Sequence, residues 1–295
     1  MHDISKPRHA RGFAFAAAHS ARGAGDAPFP AFASSAAETW TLAIALGILY
    51  VAAIASFRSA GLLSDEAYHY AQIELFRRGE FRVLDLYLTT IPGYHALVAA
   101  LLAITGSESL AAARTLTALF GLAAAAAFHL IRRETQRGTE SIATAELLAL
   151  PVLAPFLFLV YTDVLALALI LWATLATLRG RHVLAAIALC ATVLVRQNDV
   201  VWAGFLAALA VWPAWQERGF ADPKRLAALL APYLVPVGAF LAFWIWNGSI
   251  SLSHEQAKLH PELGLHTGNL LLAILAVGVL CGVQVNACAR HFIAM

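Results

Sequence analysis

The sequence predicts an all-α protein that crosses a membrane several times, and three observations carry that expectation. Hydrophobic residues make up 60% of the 295 and charged residues only 13%, where soluble domains carry roughly 25% charge. The mean hydropathy is +0.71, which excludes a disordered chain, since disorder needs low hydrophobicity and high charge. The apolar residues fall into blocks of Ala, Leu, Val and Ile, several close to the ~20 residues that span a bilayer core.

Residues 1–38 are Ala-rich, with Pro28, Pro30, Lys6, Arg8, Arg11 and Arg22. They lack the apolar core and small-residue cleavage site of a secretory signal and read as a flexible basic cytosolic tail, with a transit peptide as the alternative that fits the same composition. Residues 39–295 then form the transmembrane domain. Its expected spans are 40–57, 110–131, 142–160, 163–178, 182–195, 199–215, 227–246 and 268–288, eight in all. The stretch 91–104 is too short to cross comfortably, and segments of that length are more often interfacial. Charge decides its placement. Basic connections lie at Arg132–Arg137, Arg179–Arg181 and Arg218–Arg225, and cytoplasmic loops carry the excess of Lys and Arg. All of them, with the tail, reach one side only if 91–104 lies along the outer surface.

That topology sends the loop 58–109, the turn at Tyr161-Thr162, the turn Arg196–Asp199 and the loop 247–267 to the extracytoplasmic face. Asp65, Glu66, His69, Asp85, His95, Asp163, Arg196 and Asp199 fall there, followed by His254, Glu255, Lys258 and His260. Chemistry is therefore expected on the outer face, in an integral multi-pass protein. An excess of Arg over Lys, 17 to 3, hints at a GC-rich genome and favours a bacterial cytoplasmic membrane, or the endoplasmic reticulum membrane if the source is eukaryotic. Cys190, Cys281 and Cys288 sit in apolar runs without CxxC spacing and read as packing residues.

The first outer loop reads Ser64-Asp65-Glu66-Ala67-Tyr68-His69-Tyr70. Asp65 and His69 are four apart and share a helix face. Asp65 suits either an N-cap for a helix over 66–78 or a general base beside a low-dielectric surface; Glu66 suits a first-turn dipole partner. Thr89-Thr90-Ile91-Pro92-Gly93 is a helix start, or a corner that delivers two hydroxyls beside Asp65. Arg196-Gln197-Asn198-Asp199 either ends helices, with Arg196 snorkelling, or offers a guanidinium to a phosphate oxygen. Tyr161-Thr162-Asp163 is a polar knuckle with Asp163 as a candidate N-cap. Asp65-Glu66 offers two carboxylates to a divalent ion, though adjacent helical residues point apart; no cofactor is expected. Phosphate-loop, Gly-x-Gly-x-x-Gly, His-Glu-x-x-His and Gly-x-Ser-x-Gly patterns are absent, and nothing points to nucleic acid.

Asp65–His69, Thr89–Gly93, Tyr161–Asp163, Arg196–Trp202 and Asn247–His260, in that order, resemble the dolichyl-phosphate-glucose α-1,2-glucosyltransferases of lipid-linked oligosaccharide synthesis, a family of the GT-C superfamily. The resemblance runs from about residue 40 to 265. It implies an inverting, metal-independent transfer of a hexose from a polyprenyl- or dolichyl-phosphate sugar to a lipid-linked or glycan acceptor, with Asp65 as base. Arg196 and Gln197, helped by Lys258 or His254, would then meet the donor phosphate. Glu66, His69, Thr89, Thr90, Tyr161, Asp163, Asn198, Asp199 and His260 would shape the substrate site. The family usually reads Arg-Gln-Thr-Asn where this chain has Arg196-Gln197-Asn198-Asp199, and it continues through helices beyond the point where this chain stops. Rival expectations are a multi-pass transporter or lipid flippase and an inactive, truncated relative.

Overall fold

The computed structural model describes residues 36–135, 140–218 and 222–253. The described residues are helical without strands: α1 (Ala36–Arg58), α2 (Glu66–Arg77), α3 (Gly93–Thr105), α4 (Leu110–Thr135), α5 (Glu140–Ala149), α6 (Thr162–Leu178), α7 (His182–Val195), α8 (Val201–Arg218) and α9 (Pro223–Asn247). Short 3-10 turns lie at Ala154–Phe158 and Gln197–Val200. The expected basic tail up to residue 35, and the expected span 268–288, lie outside the described residues.

Each helix follows from an apolar run bounded by a breaker. Pro223 opens α9 behind Asp222, whose side chain accepts the Arg225 N–H; Gly106 and Gly248 end α3 and α9 in the left-handed conformation that glycine adopts without strain. One expectation fails. The run 142–160 is not a single helix: α5 stops at Ala149 and the chain turns through Pro151 and Pro155. Each proline removes a backbone donor and disfavours helix at the residue before it. Residues 150–161 thereby become a polar-ended joint that enters the site at Val160-Tyr161.

Two described helices, α4 and α9, are long and apolar enough to cross a bilayer. The exteriors are apolar as well. Ile44, Ile48 and Val51 on α1, Val183 and Ile187 on α7, and Leu234, Val235 and Ile245 on α9 are each more than half exposed. Contiguous surfaces of this kind suit lipid and not water. Contacts between helices fall to small residues: Ala113, Ala118, Ala124 and Ala127 of α4 are buried against the bundle, which lets backbones approach closely. Gly93 carries this furthest, because a Cβ there would collide with the Leu194 carbonyl; the start of α3 thus presses on the end of α7.

The core above this scaffold joins α2, α3, α4, α6 and α7 through Ile73, Tyr94, Leu102, Ala113, Leu165 and Val195, with Val160 of the joint among them. It gathers the start of α2, the start of α3, the joint at Tyr161 and the turn at Arg196 at one end of the bundle. The opposite end holds Arg132 and Arg133 in the last turn of α4, and Arg179, which pairs with Glu134.

Candidate functional site

A buried ion pair builds the floor of the polar end. Arg114 of α4 is 1% exposed and Glu66 of α2 is fully buried. A guanidinium carries five N–H donors, and here all are used. Nε donates to Glu66 Oε1 at 2.8 Å, Nη1 to the Phe57 and Ala60 carbonyls, and Nη2 to the Gly61 carbonyl and Glu66 Oε2. Those carbonyls lie in the last turn of α1 and just past its end, where no further helical N–H follows to bond Ala60 and Gly61. Glu66 also accepts the N–H groups of Leu63 at 3.1 Å and Val160 at 2.9 Å. Burial pushes its carboxyl up, but Arg114 and the two N–H groups outweigh this and hold it below its ordinary value. One hub therefore ties α1, α2, α4 and the joint at Val160, and fixes Asp65 and Tyr161 on either side of it.

Asp65 occupies the N-cap position of α2 but makes no capping bond with its side chain, and it is exposed. The preceding Ser64 has a φ of 50°, a left-handed conformation uncommon outside glycine. The Asp65 carboxylate is thus turned to solvent beside His69, whose ring Nδ1 lies 2.9 Å from His95 Nε2. The two rings stack at 5.2 Å, and Tyr161 meets His69 edge-on at 5.2 Å. His95 is fully buried. Burial holds His69 below the ordinary imidazole value against the pull of Asp163 and Asp65. Burial and the neighbouring His69 hold His95 well below it.

Arg196, at the end of α7, pairs with Asp163 in the first turn of α6, and both are about one-third to two-fifths exposed. Burial raises the Asp199 carboxyl above its ordinary value, with Arg196 pulling it down and Asp163 pushing it up. Asn198 is exposed. Gln197 has a different task from its neighbours. Its amide accepts the Ile91 N–H at 3.1 Å and donates to the carbonyls of Thr89 at 2.8 Å and Ile250 at 2.7 Å. Only 2% exposed, it staples two loops with its amide. Leu252 N–H donates to the Thr89 carbonyl as well, while the Thr90 hydroxyl is buried with no hydrogen-bond partner among the described residues.

Asp65, His69, Thr89, Thr90, Tyr161, Asp163, Arg196, Asn198 and Asp199 therefore share one end, with Glu66 and Gln197 beneath them as ties. His254, Lys258 and His260 lie outside the described residues. Sequence reasoning missed the pairing of Arg114 with Glu66 and of His95 with His69. Each joins different helices, at separations of 48 and 26 residues, so no local spacing could reveal them. Among the described residues no group of three His, Cys, Asp or Glu side chains is placed to hold a metal.

A helical bundle with apolar flanks and a cluster of carboxylates, histidines and Arg196 at one end belongs to the class of helical membrane proteins. Within that class, the chain belongs to the DIE2/ALG10 family, whose profile matches residues 61–227, the stretch from before Asp65 to beyond Arg196. A Drosophila melanogaster protein described as Dol-P-Glc:Glc(2)Man(9)GlcNAc(2)-PP-Dol alpha-1,2-glucosyltransferase is 32% identical over 178 residues, covering 56% of this chain and 38% of that protein. The chain thus spans well under half the length of this curated relative. No solved structure matches it.

Proposed function

We propose that the chain is a multi-pass membrane glycosyltransferase of GT-C type, with residues 39–295 forming its transmembrane domain. It transfers a hexose, glucose by its family, from a polyprenyl- or dolichyl-phosphate sugar to a lipid-linked or glycan acceptor. The site faces the extracytoplasmic or lumenal side, opposite Arg179 and its basic neighbours. The observation that carries the reading is the convergence of Asp65, His69 and the Arg196–Asp163 pair at one end of a lipid-facing bundle, inside the segment matched by the family.

The chemistry is a single displacement. An acceptor hydroxyl attacks the anomeric carbon as its proton passes to Asp65. The bond from that carbon to the phosphate oxygen breaks, and the phosphate leaves with the electron pair. Arg196 stabilises the charge that develops there, the kind of preorganised electrostatic contact that contributes most to such barriers. The sugar inverts, and no metal takes part. Arg196 is suited to the phosphate because its guanidinium makes one side-chain hydrogen bond among the described residues, to Asp163, leaving donors for the ligand.

The test pairs binding with turnover. A panel of polyprenyl-phosphate sugars should raise the thermal midpoint of the purified protein only for the true donor. Asp65→Asn should abolish transfer while leaving that midpoint shift intact. Transfer at the wild-type rate by this variant would refute the base assignment.

A further inference from the structure

The loop between α2 and α3 exposes aromatic rings on a backbone that is firmly held. Gln72 of α2 is fully buried. Its side-chain amide donates to the Val83 carbonyl at 3.1 Å and accepts the Asp85 N–H at 2.8 Å. A buried polar side chain costs free energy unless it is hydrogen-bonded, and the partners of Gln72 are backbone groups of this loop. Asp85 Oδ1 in turn accepts the Tyr87 N–H at 2.8 Å, and the Ser253 hydroxyl donates to the Leu86 carbonyl at 2.6 Å. The tip is nevertheless open. The exposed rings of Tyr68 and Tyr87 lie with their centres 4.6 Å apart and their planes tilted by 37°. Neither hydroxyl makes a hydrogen bond among the described residues. Tyr68 stands in the first turn of α2, where its N–H donates to the Asp65 carbonyl at 3.0 Å, and residues three apart on a helix are surface neighbours. The displacement at Asp65 gives Gln72, Tyr68 and Tyr87 no task.

We propose that Tyr68 and Tyr87 form a stacking platform for the terminal sugar of a glycan acceptor, and that the platform delivers the attacking hydroxyl of that sugar to Asp65. A pyranose presents C–H bonds on its faces and hydroxyls around its rim. The C–H faces suit the negative face of an aromatic ring. The rim hydroxyls suit the two phenols and the carboxylates of Asp65 and Asp85, which flank the pair along the chain. The same carboxylates disfavour a bilayer as the occupant. Hydrocarbon would strip them of water with nothing in return, and anionic headgroups would be repelled. A loop held in place before the ligand arrives lowers the ordering cost of binding, which is the work of Gln72 as a positioning residue. The role as acceptor platform rests on the glycosyl-transfer reading; affinity for a glycan does not.

Tetranitromethane, which nitrates exposed tyrosines, reads occupancy of the platform in the detergent-solubilised full chain. Mass spectrometry should find Tyr68 and Tyr87 nitrated in the free protein. Among soluble trisaccharides ending in glucose, mannose or N-acetylglucosamine, at least one should protect both rings, while mannitol at equal concentration should not. Protection by none of them overturns the platform. So does protection on reconstitution into phosphatidylcholine vesicles without sugar, which would assign the rings to the bilayer. With polyprenyl-phosphate glucose as donor, Tyr68→Leu and Tyr87→Leu should each raise KM for the protecting trisaccharide about two- to tenfold, the worth of one aromatic contact. The rise in thermal midpoint induced by the donor should keep its wild-type size in both. Tyr87→Phe, which keeps the ring, should restore most of the affinity. Unchanged KM in both leucine variants, with transfer intact, overturns the platform and leaves the transferase standing. Protection by a trisaccharide without any transfer or donor-induced midpoint shift counts against the glycosyl-transfer reading and leaves the glycan site standing.

Discussion

Two arginine–carboxylate pairs, 82 residues apart at Arg114 and Arg196, do opposite jobs with the same chemistry. Arg114–Glu66 is closed to solvent, and every donor of the guanidinium has a partner. Arg196–Asp163 is open, with side chains 34% and 43% exposed, and joined by one hydrogen bond. Removing one partner of a buried pair strands a charge in a low-dielectric interior, whereas an exposed pair is screened by water. Satisfaction and burial therefore separate a structural pair from one that can exchange its partner for a ligand. Sequence position does not, because both arginines lie at helix ends that carry site residues.

The sharpest way to break this comparison is to exchange the arginines' fates. Arg114→Met should cost about 3–5 kcal/mol, since it leaves Glu66 buried and unpaired and releases three carbonyls, and it should be read as loss of a cooperative thermal transition. The double variant Arg114→Met/Glu66→Leu should recover much of that loss. Arg196→Gln should leave the thermal midpoint near wild type and lower kcat by about 10²–10³, the size expected when one donor to a developing charge is lost. A midpoint as low for Arg196→Gln as for Arg114→Met would erase the distinction.

The helices themselves were legible in the sequence, because a long apolar run between Gly, Pro or charged residues leaves few alternatives. The helices α2 and α3 followed from such local signals. The break at Pro151 was also written in the chain, but hydropathy averaged over 142–160 hid it. In the site, Asp65, Asp163 and Arg196 were visible as charges beside apolar spans. The work of Gln197 was not, since a polar residue at a helix end reads alike whether it faces a ligand or a backbone carbonyl. Only the approach of Thr89, Ile91 and Ile250 from distant segments decides it. Gln197→Ala should accordingly cost about 1–3 kcal/mol by leaving those backbone groups unpaired. Limited proteolysis of the 86–91 and 249–253 loops, which should quicken, would locate the loss.

Acid pH separates the histidine pair from the Glu66 hub by the window in which each titrates. His69 and His95 both lie below the ordinary imidazole value of 6.5, so the unfolded chain takes up protons first and stability falls as pH drops from there towards their folded values. Glu66 is held below its ordinary 4.5, so its contribution is present above that pH and is lost as pH falls through the lowered value. Thermal midpoints between pH 8 and 3, as round numbers spanning both windows, should decline in two stages. The upper stage should be absent in a His69→Leu/His95→Leu variant.

The smallest expected effect is also the most telling about the open pair. Asp163→Asn removes the charge that holds Arg196, yet an exposed pair contributes only about 0–1 kcal/mol after solvent screening, so the midpoint should scarcely move. Arg196 would then meet the donor phosphate without displacing a carboxylate, and Asp199, relieved of a like charge, would ionise more readily. Binding of the polyprenyl-phosphate sugar should tighten or hold steady, with no loss of the thermal shift it induces. If Asp163 instead locks Arg196 in the geometry that meets the phosphate, binding weakens in Asp163→Asn while the midpoint stays put. Comparing donor affinity with midpoint in this one variant thus distinguishes an exchangeable partner from a fixed brace, a difference that burial alone leaves open at half-exposed side chains.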